Sequence, residues 1–512
     1  MTTEGSAGTP PADAIRFVLD GRVVEVRDTD PTRTVLQFLR EDLGRLGTKE
    51  GCAEGDCGAC TVALAEPGAG GEQLRVRAVN ACIRFLPTLD GKELLTIESL
   101  RAAGGRLHPV QQAMVECHGS QCGFCTPGFV MSMFALYKNA SAPTRREIDD
   151  ALAGNLCRCT GYAPIVRAAE AMYRLGAAET DESWLRAPHG SGRGAEDQKQ
   201  HVERLRTIER PDSLVLEWRD QRYFAPTSLD ELARWVQEYP EATLLAGGTD
   251  VALRATKELR TLPVVIYTGR VEELAKIAVK DGGIDVGAAV TLTDAMPVIV
   301  EEYPELEELL LRFASPPIRN AGTVGGNVAN GSPIGDSMPA LLALDAALLL
   351  RKGTATRELP LSDFYLGYRK TACTRGEFLE RIRIPRRPEG ALVRAYKISK
   401  RFDQDISAVC AAFRLEIDGS RVAAFRAAYG GMAAIPKRAL LCEEALAGHE
   451  WNQANVRRAM GALEQDFSPI SDMRSSAAYR RRVAGNLLLR FWLETSGALT
   501  ETVYDYGRQK LA

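Results

Sequence analysis

Four cysteines near the start of the chain carry the clearest chemistry in the sequence. Cys52, Cys57 and Cys60 follow a C-x4-C-x2-C spacing, and Cys82 lies farther along. This spacing is typical of plant-type [2Fe–2S] sites, in which one loop supplies three thiolates and a distant segment supplies the fourth. Glycines in the loop would let backbone N–H groups approach the cluster sulfurs. We therefore predict a [2Fe–2S] cluster, with zinc as the alternative because four cysteines also form tetrahedral zinc sites.

A second group of cysteines follows in a segment with helical periodicity. Cys122 and Cys125 form one pair, and Cys157 and Cys159 form another. Short helices would place both pairs at helix ends, where free N–H groups can stabilise the negative charge of a cluster. Cys117 repeats the spacing of the first loop with Cys122 and Cys125. Spacing alone therefore leaves five candidate cysteines for the four ligand positions of one cluster.

Two segments in the second half could hold an extended polar ligand. Gly247 and Gly248 end a short apolar strand, where free N–H groups can bind a pyrophosphate. The pair matches neither the dinucleotide-binding pattern nor the P-loop, so a plain tight turn is the competing interpretation. Residues 319–336 are rich in small and hydrogen-bonding side chains. Loops of this length are usually functional or disordered, so we predict close backbone contact with a ligand.

Short strands and one helix are predicted around the first cysteine loop. Residues 15–26 alternate apolar and polar side chains around Asp20-Gly21, which predicts a β-hairpin. Thr32 could cap a following helix. Further strands are predicted at residues 61–65 and 74–79. These elements would form a small mixed sheet crossed by one helix.

Helical periodicity replaces the strand pattern from about His108 onwards. Four short helices are predicted at residues 111–115, 128–137, 145–152 and 165–175. Residues 177–210 contain few apolar side chains and show no periodicity. We predict an exposed linker and a domain boundary there.

The second half of the chain is predicted to contain both strands and helices. A helix at residues 229–236 and a strand at 243–246 precede the glycine pair, and a buried helix at 338–344 follows the second segment. The last part is predicted to form strands at 392–398, 409–417 and 422–429, then helices at 437–447, 455–464 and 480–495. Strands followed by helices indicate an α+β layer.

Composition describes an ordinary globular protein. The chain has 512 residues, of which 45% are hydrophobic and 26% charged, with a net charge of −3. This size suits about three domains, and the charge balance argues against nucleic acid or an anionic membrane as partner. We see no long apolar run or signal peptide, so we expect a cytoplasmic protein. Nine of the twelve cysteines lie between Cys52 and Cys159, which in a reducing compartment favours metal ligation over disulfides.

Five motifs in series resemble the molybdenum hydroxylase family, and the resemblance covers nearly the whole chain. The motifs are the Cys52-x4-Cys57-x2-Cys60 loop with Cys82, Gln121-Cys122-Gly-Phe-Cys125, Gly154-Asn-Leu-Cys157-Arg-Cys159, Leu245-Ala-Gly-Gly-Thr-Asp250 and Thr323-Val-Gly-Gly-Asn327. The two cysteine motifs in series are highly specific, and the two flavin segments are moderately so. The likeness is closest to family members that oxidise purines.

The resemblance implies a multidomain α+β chain. The implied domains are a β-grasp, plant-type [2Fe–2S] ferredoxin-like domain at residues 14–98, a four-helix [2Fe–2S] domain at 99–176, a linker at 177–210, a vanillyl-alcohol-oxidase-type FAD domain at 211–388 and an α+β C-terminal domain like that of CO dehydrogenase flavoproteins at 389–508.

The resemblance also implies which residues hold the cofactors. The second cluster would use Cys122, Cys125, Cys157 and Cys159, which leaves Cys117 without a role. Gln121 would contact the molybdopterin of a partner subunit. The implied FAD contacts are Leu245, Ala246, Gly247, Gly248, Thr249, Asp250, Val251, Phe313, Thr323, Gly326, Asn327, Asp336, Leu379 and Lys397. Tyr368 would lie where NAD⁺ approaches, with a packed surface tyrosine as the alternative.

The implied function is electron relay within a hetero-oligomer. A molybdenum centre in a large partner subunit would hydroxylate hypoxanthine or xanthine to urate, and electrons would pass through the two clusters and FAD to NAD⁺. This chain would contribute ligation and cofactor orientation, with no catalytic acid or base of its own. The alternatives are the same part of an aldehyde or N-heterocycle dehydrogenase, a free-standing iron–sulfur flavoprotein carrier, or a zinc-bound scaffold without flavin.

Overall fold

The computed structural model describes residues 2–4, 13–68, 70–178, 181, 183–280 and 282–498.

The N-terminal region is a mixed sheet of six strands. The strands lie in the order β1-β3-β2-β6-β4-β5, with bounds β1 (Thr2–Glu4), β2 (Ile15–Leu19), β3 (Arg22–Val26), β4 (Thr61–Pro67), β5 (Leu74–Asn80) and β6 (Glu93–Leu95). The predicted hairpin is confirmed, because β2 and β3 pair antiparallel around Asp20 and Gly21, which both have positive φ.

One short helix crosses this sheet, and its predicted cap was wrong. Helix α1 (Val35–Gln37) continues as a π-helical turn (Phe38–Asp42), and Thr34 rather than Thr32 caps it. Thr34 Oγ1 accepts a hydrogen bond from Gln37 N at 3.1 Å, and Gln37 Oε1 accepts one from Thr34 N at 3.0 Å. This reciprocal capping box satisfies two N–H groups at once. Thr32 instead donates its hydroxyl to Asp30 at 2.7 Å.

Four helices follow, as predicted, with slightly different ends. Their bounds are α2 (Pro109–Glu116), α3 (Thr126–Asn139), α4 (Arg145–Leu152) and α5 (Ala163–Ala177). Helix α3 is buried on nearly all sides, and Phe129, Met131 and Phe134 are fully enclosed. These side chains share one hydrophobic core with Ala63 and Val76 of the sheet. The first two regions are therefore packed as one unit.

The prediction of an exposed linker at residues 177–210 was wrong for its second half. Residues Ala195–Ile208 form helix α6, and Val202, Leu205 and Ile208 are buried against the core shared by the sheet and the helices. Trp184 is buried as well. The apolar stripe of α6 is too narrow to recognise in the sequence, and the helix is stabilised by contact with the preceding domains.

Three sheets and seven α-helices of the described chain form the middle region. The first sheet has the order β7 (Leu214–Trp218), β8 (Gln221–Ala225), β10 (Val264–Tyr267), β9 (Thr243–Leu245), and the second has the order β11 (Ile277–Lys280), β12 (Gly283–Gly287), β17 (Phe378–Pro385), β13 (Ala347–Lys352), β14 (Ala355–Pro360). A small ribbon pairs β15 (Tyr365–Gly367) with β16 (Lys370–Thr371). The helices are α7 (Leu229–Glu238), α8 (Val251–Thr256), α9 (Leu292–Glu302), α10 (Glu307–Arg312), α11 (Pro316–Arg319), α12 (Val324–Asn330) and α13 (Ser337–Ala343).

The segment 319–336 was predicted as a long loop, and this was wrong in part. Helix α12 occupies its centre, where Thr323 accepts a hydrogen bond from Gly326 N and Val324 and Val328 are buried. Glycine and asparagine mask this helix in the sequence, because both have low helix propensity. The predicted buried helix that follows is confirmed as α13.

The last region is a four-stranded antiparallel sheet covered by helices. The strands are β18 (Leu392–Ile398), β19 (Val409–Asp418), β20 (Arg421–Gly430) and β21 (Lys437–Arg438), and the helices are α14 (Leu440–Leu446), α15 (Gln453–Asp466) and α16 (Ala477–Thr495). The predicted α+β layer is confirmed. Lys437 and Arg438 were wrongly assigned to a helix, because they pair with the edge of β20.

Single turns of 3₁₀-helix connect several of these elements. They lie at Ala81–Ile83, Leu86–Leu89, Glu98–Leu100, Ala103–Gly105, Glu272–Ala275, Pro304–Leu306 and Leu361–Asp363. No helix in the described part of the chain is long and apolar enough to cross a bilayer.

Together, the sheets and helices of these regions make the described chain a multidomain α+β protein.

Candidate functional site

The first cysteine set comes together in the fold, although Cys82 is distant in sequence. The Cys57 thiol hydrogen-bonds the Cys52 sulfur, which lowers the pKa of Cys52 well below its usual value and raises that of Cys57. Contacts with Cys52 and then Cys60 raise the pKa of Cys82. Cys60 and Cys82 are buried, whereas Cys52 and Cys57 are half-buried. The four sulfurs form one group, in which Cys52 contacts Cys57 and Cys82, and Cys82 also contacts Cys60.

The first loop turns its N–H groups toward this group of sulfurs. The N–H groups of Asp56 and Cys57 both donate to Cys52 Sγ at 3.3 Å. This turn requires positive φ at Gly55 and Gly58, a conformation that glycine adopts without strain. Such N–H···S contacts stabilise thiolate charge, so the loop is organised to hold an anionic cluster.

The second cysteine set lies at the protein surface. Cys122, Cys125, Cys157 and Cys159 line one cavity of about 170 Å³ together with Gln121. The thiols pair as Cys125 with Cys157 and Cys122 with Cys159, and burial raises the pKa of Cys125 to about 12. Cys122 and Cys159 are exposed. Within the described residues Cys117 lies outside this lining, because it caps the end of α2 and packs on the core of the helices.

Each set brings four thiols together, which is the number of protein ligands that a [2Fe–2S] cluster takes. In the inner set, Cys52 contacts both Cys57 and Cys82, and Cys82 also contacts Cys60. In the outer set, Cys125 contacts Cys157 and Cys122 contacts Cys159. Four thiolates are also a donor set for structural zinc, so metal analysis separates the two.

Direct hydrogen bonds join the two cysteine sets. Leu156, which precedes Cys157, donates its N–H to Cys57 O at 3.0 Å. Asn155 Nδ2 donates to Gly58 O at 3.0 Å and to Thr61 Oγ1 at 3.2 Å. A Cβ on Gly58 would lie 2.1 Å from Gly154 O, so this close approach needs glycine. Sequence reasoning missed Asn155, and its place inside the Gly-Asn-Leu-Cys motif was the available signal.

The two glycine-bearing segments of the middle region, residues 245–251 and 319–336, also lie against each other. A Cβ on Gly247 would approach Ala321 O to 1.9 Å, and one on Gly322 would lie 3.3 Å from Thr249 Oγ1. Thr323 Oγ1 accepts a hydrogen bond from Gly326 N at 2.9 Å. Both segments lead directly into helices, α8 and α12. At the start of α12, Val324 N donates to Val290 O and Asn327 N to Thr323 O, so the protein itself pairs these N–H groups.

The remaining predicted flavin contacts fall into two groups. Asp336 and Lys397 form a buried ion pair, and Ser407 Oγ donates to Asp336 Oδ1 at 2.6 Å. Asn327 Oδ1 accepts a hydrogen bond from Ser337 Oγ and so adjoins this pair. Phe313 lines an apolar cavity next to α9, α10 and α13, and Leu379 is buried on β17 in the same hydrophobic core. Tyr368 is largely exposed.

The first cysteine loop also touches the glycine-bearing segments. Thr256 Oγ1 in α8 donates to Ala53 O at 3.0 Å. A Cβ on Gly248 would lie 3.1 Å from Ile83 O, next to Cys82. The first cysteine set therefore lies between the second set and the glycine-bearing segments. A bidentate ion pair from Arg319 to Asp150, at 2.7 and 2.8 Å, joins the middle region directly to the helices.

Four family models match successive parts of the chain. They describe a 2Fe-2S iron-sulfur cluster binding domain at residues 17–86, a [2Fe-2S] binding domain at 96–170, an FAD binding domain in molybdopterin dehydrogenase at 218–387 and a CO dehydrogenase flavoprotein C-terminal domain at 394–495. These matches contain both cysteine sets and both glycine-bearing segments.

Individual relatives agree with these matches. The chain is 34% identical to xanthine dehydrogenase of Emericella nidulans over 94% of this chain and 38% of that protein. It is 30% identical to aldehyde oxidase 2 of Macaca fascicularis over 96% of this chain and 40% of that protein. The chain thus spans about two fifths of the length of these relatives. A solved chain of Cu,Mo-CO dehydrogenase in its cyanide-inactivated form is 28% identical with a TM-score of 0.50, over 52% of this chain and 94% of that chain.

Proposed function

The chain carries the iron–sulfur and FAD-binding domains of the molybdenum hydroxylase family, and from this we propose that it is the electron-transfer subunit of a xanthine dehydrogenase. In this proposal a large partner subunit holds molybdopterin and hydroxylates hypoxanthine or xanthine to urate. This chain passes the electrons to NAD⁺. The proposed holders are the eight cysteines of the two sets for the clusters and the glycine-bearing segments for FAD.

The central position of the first cysteine loop carries the proposal. This loop touches the second cysteine set through Leu156 N and Cys57 O, and the flavin segment through Thr256 Oγ1 and Ala53 O. When bound, [2Fe–2S] clusters exchange single electrons, and FAD connects them to a two-electron acceptor such as NAD⁺. The loop would therefore hold the middle carrier of three.

The outer cysteine set suits contact with the partner. Gln121 lines the same cavity as these four cysteines, so its side chain is available to a pterin held by another chain. Phe124, Leu156 and Tyr162 around the cavity are each more than one third exposed. Apolar side chains grouped on a surface in this way mark an interaction site. The exposed apolar rim supports docking of the molybdenum subunit here.

Of all parts of the proposal, the identity of the substrate has the least support from this chain. The identity to xanthine dehydrogenase of Emericella nidulans supports a purine substrate, whereas the identity to aldehyde oxidase 2 keeps an aldehyde as the second candidate. The partner subunit would bind the substrate in either case. Assays of the reconstituted pair with xanthine and with an aromatic aldehyde would separate the two.

The first test is metal and flavin analysis of the purified chain. We expect about four iron atoms and one FAD per chain, with a visible spectrum that dithionite bleaches. NADH alone should also reduce the flavin under anaerobic conditions without the partner. Zinc in place of iron, or a folded chain that binds no FAD, would overturn the proposal and favour the scaffold. Full reduction by NADH with no binding to any molybdenum subunit would favour the free-standing carrier.

A further inference from the structure

Asn80 lies between Cys60 and Cys82, the two buried cysteines of the first, or inner, set, and it is not among the cluster ligands or flavin contacts named above. It ends β5, and Cys82 follows two residues later. In the antiparallel pair of β4 and β5 it lies opposite Thr61, the residue directly after Cys60. Ala81 N also donates to Cys60 O at 3.2 Å. The strand pairing thus brings Asn80 to the point where the two ligand segments meet.

The side chain of Asn80 is directed at a sulfur atom. It is 2% exposed, and its Nδ2 donates to Cys60 Sγ at 3.8 Å. Asn80 also precedes the 3₁₀ turn Ala81–Ile83, a position where asparagine side chains commonly cap a helix. Here the side chain makes no capping bond. The amide is therefore turned away from the local backbone and toward the ligand atom.

This orientation leaves the other half of the amide unsatisfied. Asn80 Oδ1 is buried and has no hydrogen-bond partner among the described residues. An unpaired buried carbonyl costs free energy, so packing alone would favour an apolar side chain at this position. Native structures rarely keep such a group without a further role, and redox chemistry is one such role. The donor half of the amide, and not its contribution to stability, explains an asparagine here.

The donors to the inner sulfurs differ in kind. Cys52 Sγ accepts from two backbone N–H groups of its own loop, each at 3.3 Å. Cys60 Sγ accepts from the amide side chain of Asn80 and is also close to the backbone N–H of Cys82. Backbone donors remain whatever the side chains are, whereas a side-chain donor is lost with one substitution. Asn80 is therefore a position at which a change of side chain alters the electrostatics of the inner set.

We propose that Asn80 is a positioning residue that raises the reduction potential of the [2Fe–2S] cluster held by the inner set, through its hydrogen bond to Cys60. Reduction adds one electron, and part of the added negative charge resides on the ligand sulfurs. A hydrogen bond strengthens as its acceptor gains charge, so a buried N–H group aimed at one of these sulfurs stabilises the reduced form more than the oxidised form. The inner set would then accept electrons from the outer set more readily. This inference rests on the cluster ligation proposed above.

Variants at Asn80 test the donor. Asn80→Leu removes it and keeps a side chain of similar shape, and Asn80→His retains an N–H donor. Thr88→Val is the matched control, because Thr88 is 5% exposed in the same N-terminal region and its hydroxyl donates to Phe85 O at 2.7 Å. Redox titration of the FAD-loaded chain, followed by electron paramagnetic resonance, would give the midpoint potential of each cluster separately.

We expect Asn80→Leu to lower the ratio of reduced to oxidised inner cluster about tenfold at a fixed ambient potential, which is a shift of about 59 mV for one electron. Asn80→His should recover part of this shift, and Thr88→Val should show none. The outer cluster should keep its potential in all three variants. An unchanged inner potential in Asn80→Leu, or an equal shift in Thr88→Val, would overturn the proposal.

A measurement on the wild-type chain tests the same contact if Asn80→Leu loses the inner cluster. Asparagine labelled with ¹⁵N in its side chain should show a hyperfine coupling to the reduced inner cluster, because Nδ2 of Asn80 bonds a ligand sulfur. The coupling should persist in Asn155→Ala, since Asn155 Nδ2 bonds Gly58 O instead. Absence of the coupling would overturn the proposal. Iron and FAD contents of the wild type report separately on the proposed function.

Discussion

The two cysteine sets differ mainly in how far the fold covers them. In the inner set, Cys60 and Cys82 are buried and Cys52 and Cys57 are half-buried. Its loop is hydrogen-bonded to the helical region through Leu156 N and to α8 through Thr256 Oγ1. In the outer set, Cys122 and Cys159 are exposed, and so are Phe124, Leu156 and Arg158 beside them. The fold therefore covers the inner set more than the outer set.

The difference in burial indicates that the two cysteine sets exchange electrons with different kinds of partner. A more covered cluster is suited to exchange electrons with groups that this chain itself positions, whereas an exposed cluster is suited to exchange them with another protein. Local structure follows the same division. The inner loop uses positive φ at Gly55 and Gly58 to turn N–H groups toward sulfur, while Cys125 of the outer set lies at the start of α3. The predictions below test this division, in order of decreasing effect.

Loss of a ligand from each set gives the largest effect. Cys57→Ser should lower the iron content from about four to about two atoms per chain, and NADH formation with the partner should fall more than about a hundredfold. In Cys57→Ser, NADH should no longer reduce the outer cluster, although dithionite should. In Cys122→Ser, NADH should still reduce the inner cluster. Electron paramagnetic resonance of the two variants would measure this, and NADH reduction of the outer cluster in Cys57→Ser would contradict the order.

Removal of the hydrogen bonds between the sets comes next. Asn155→Ala removes three buried hydrogen bonds, to Gly58 O, Thr61 Oγ1 and Ser132 Oγ, and leaves Ser132 Oγ without its acceptor. It should lower the free energy of unfolding by about 2–3 kcal/mol. Urea unfolding would measure this loss. Asn139→Ala is the matched control. Asn139 Nδ2 donates a hydrogen bond of 2.7 Å to Val76 O, and this bond lies apart from both cysteine sets.

The two asparagine variants should differ in their spectra as well. Asn155→Ala should alter the resonance signals of both clusters, since it holds both cysteine loops in place. Asn139→Ala should destabilise the chain and leave those signals unchanged. Identical spectra for the two variants would mean that Asn155 has no role beyond stability.

Truncation at the outer surface should weaken partner binding. Phe124 is 46% exposed beside the outer cysteines, and Phe124→Ala should weaken association with the proposed molybdenum subunit about tenfold. Val279→Ala removes a side chain that is 70% exposed on β11 and should have no effect on association. Titration of the labelled partner with each variant would measure the affinities. Equal affinities for both variants would place the interface elsewhere.

The smallest effect tests whether the helices that carry the outer set are firmly packed. Burial lowers the pKa of Lys138 to about 7, and its Nζ donates to Trp184 O and Ala187 O. The unfolded chain therefore binds more protons than the folded chain between about pH 7 and the usual lysine pKa. The free energy of unfolding should rise through this window by up to about 1 kcal/mol per pH unit.

Lys138→Met should remove this rise in stability with pH. Denaturant unfolding of both proteins between pH 7 and 9 would show the difference. The uncharged variant should have the flatter profile, because no proton is released when its helix docks. Parallel profiles for the two proteins would show that Lys138 is solvated, and the helices would then be more loosely packed than the inner set.

Local patterns in the sequence were sufficient for many elements. The Asp20-Gly21 hairpin, the four helices from α2 to α5 and the three long strands of the last sheet were all predicted, because each has its own periodicity or turn residues. Helix α6 was missed because its stability comes from burying Val202, Leu205 and Ile208 on other domains. Helix α12 was missed because its glycines lower helix propensity, and Thr323 with two buried valines compensates.

The sequence by itself determined which side chains are available for ligation, because thiolate chemistry and C-x4-C-x2-C spacing depend on neighbours along the chain. It could not decide between five candidate cysteines, nor which set is buried. Those outcomes depend on contacts such as Asn155 to Gly58, which join residues 97 positions apart. The tertiary structure alone places the inner set between the outer set and the glycine-bearing segments. It also brings Asn80 to Cys60 and leaves Asn80 Oδ1 unpaired among the described residues, because only packing of distant segments decides which polar groups keep a partner.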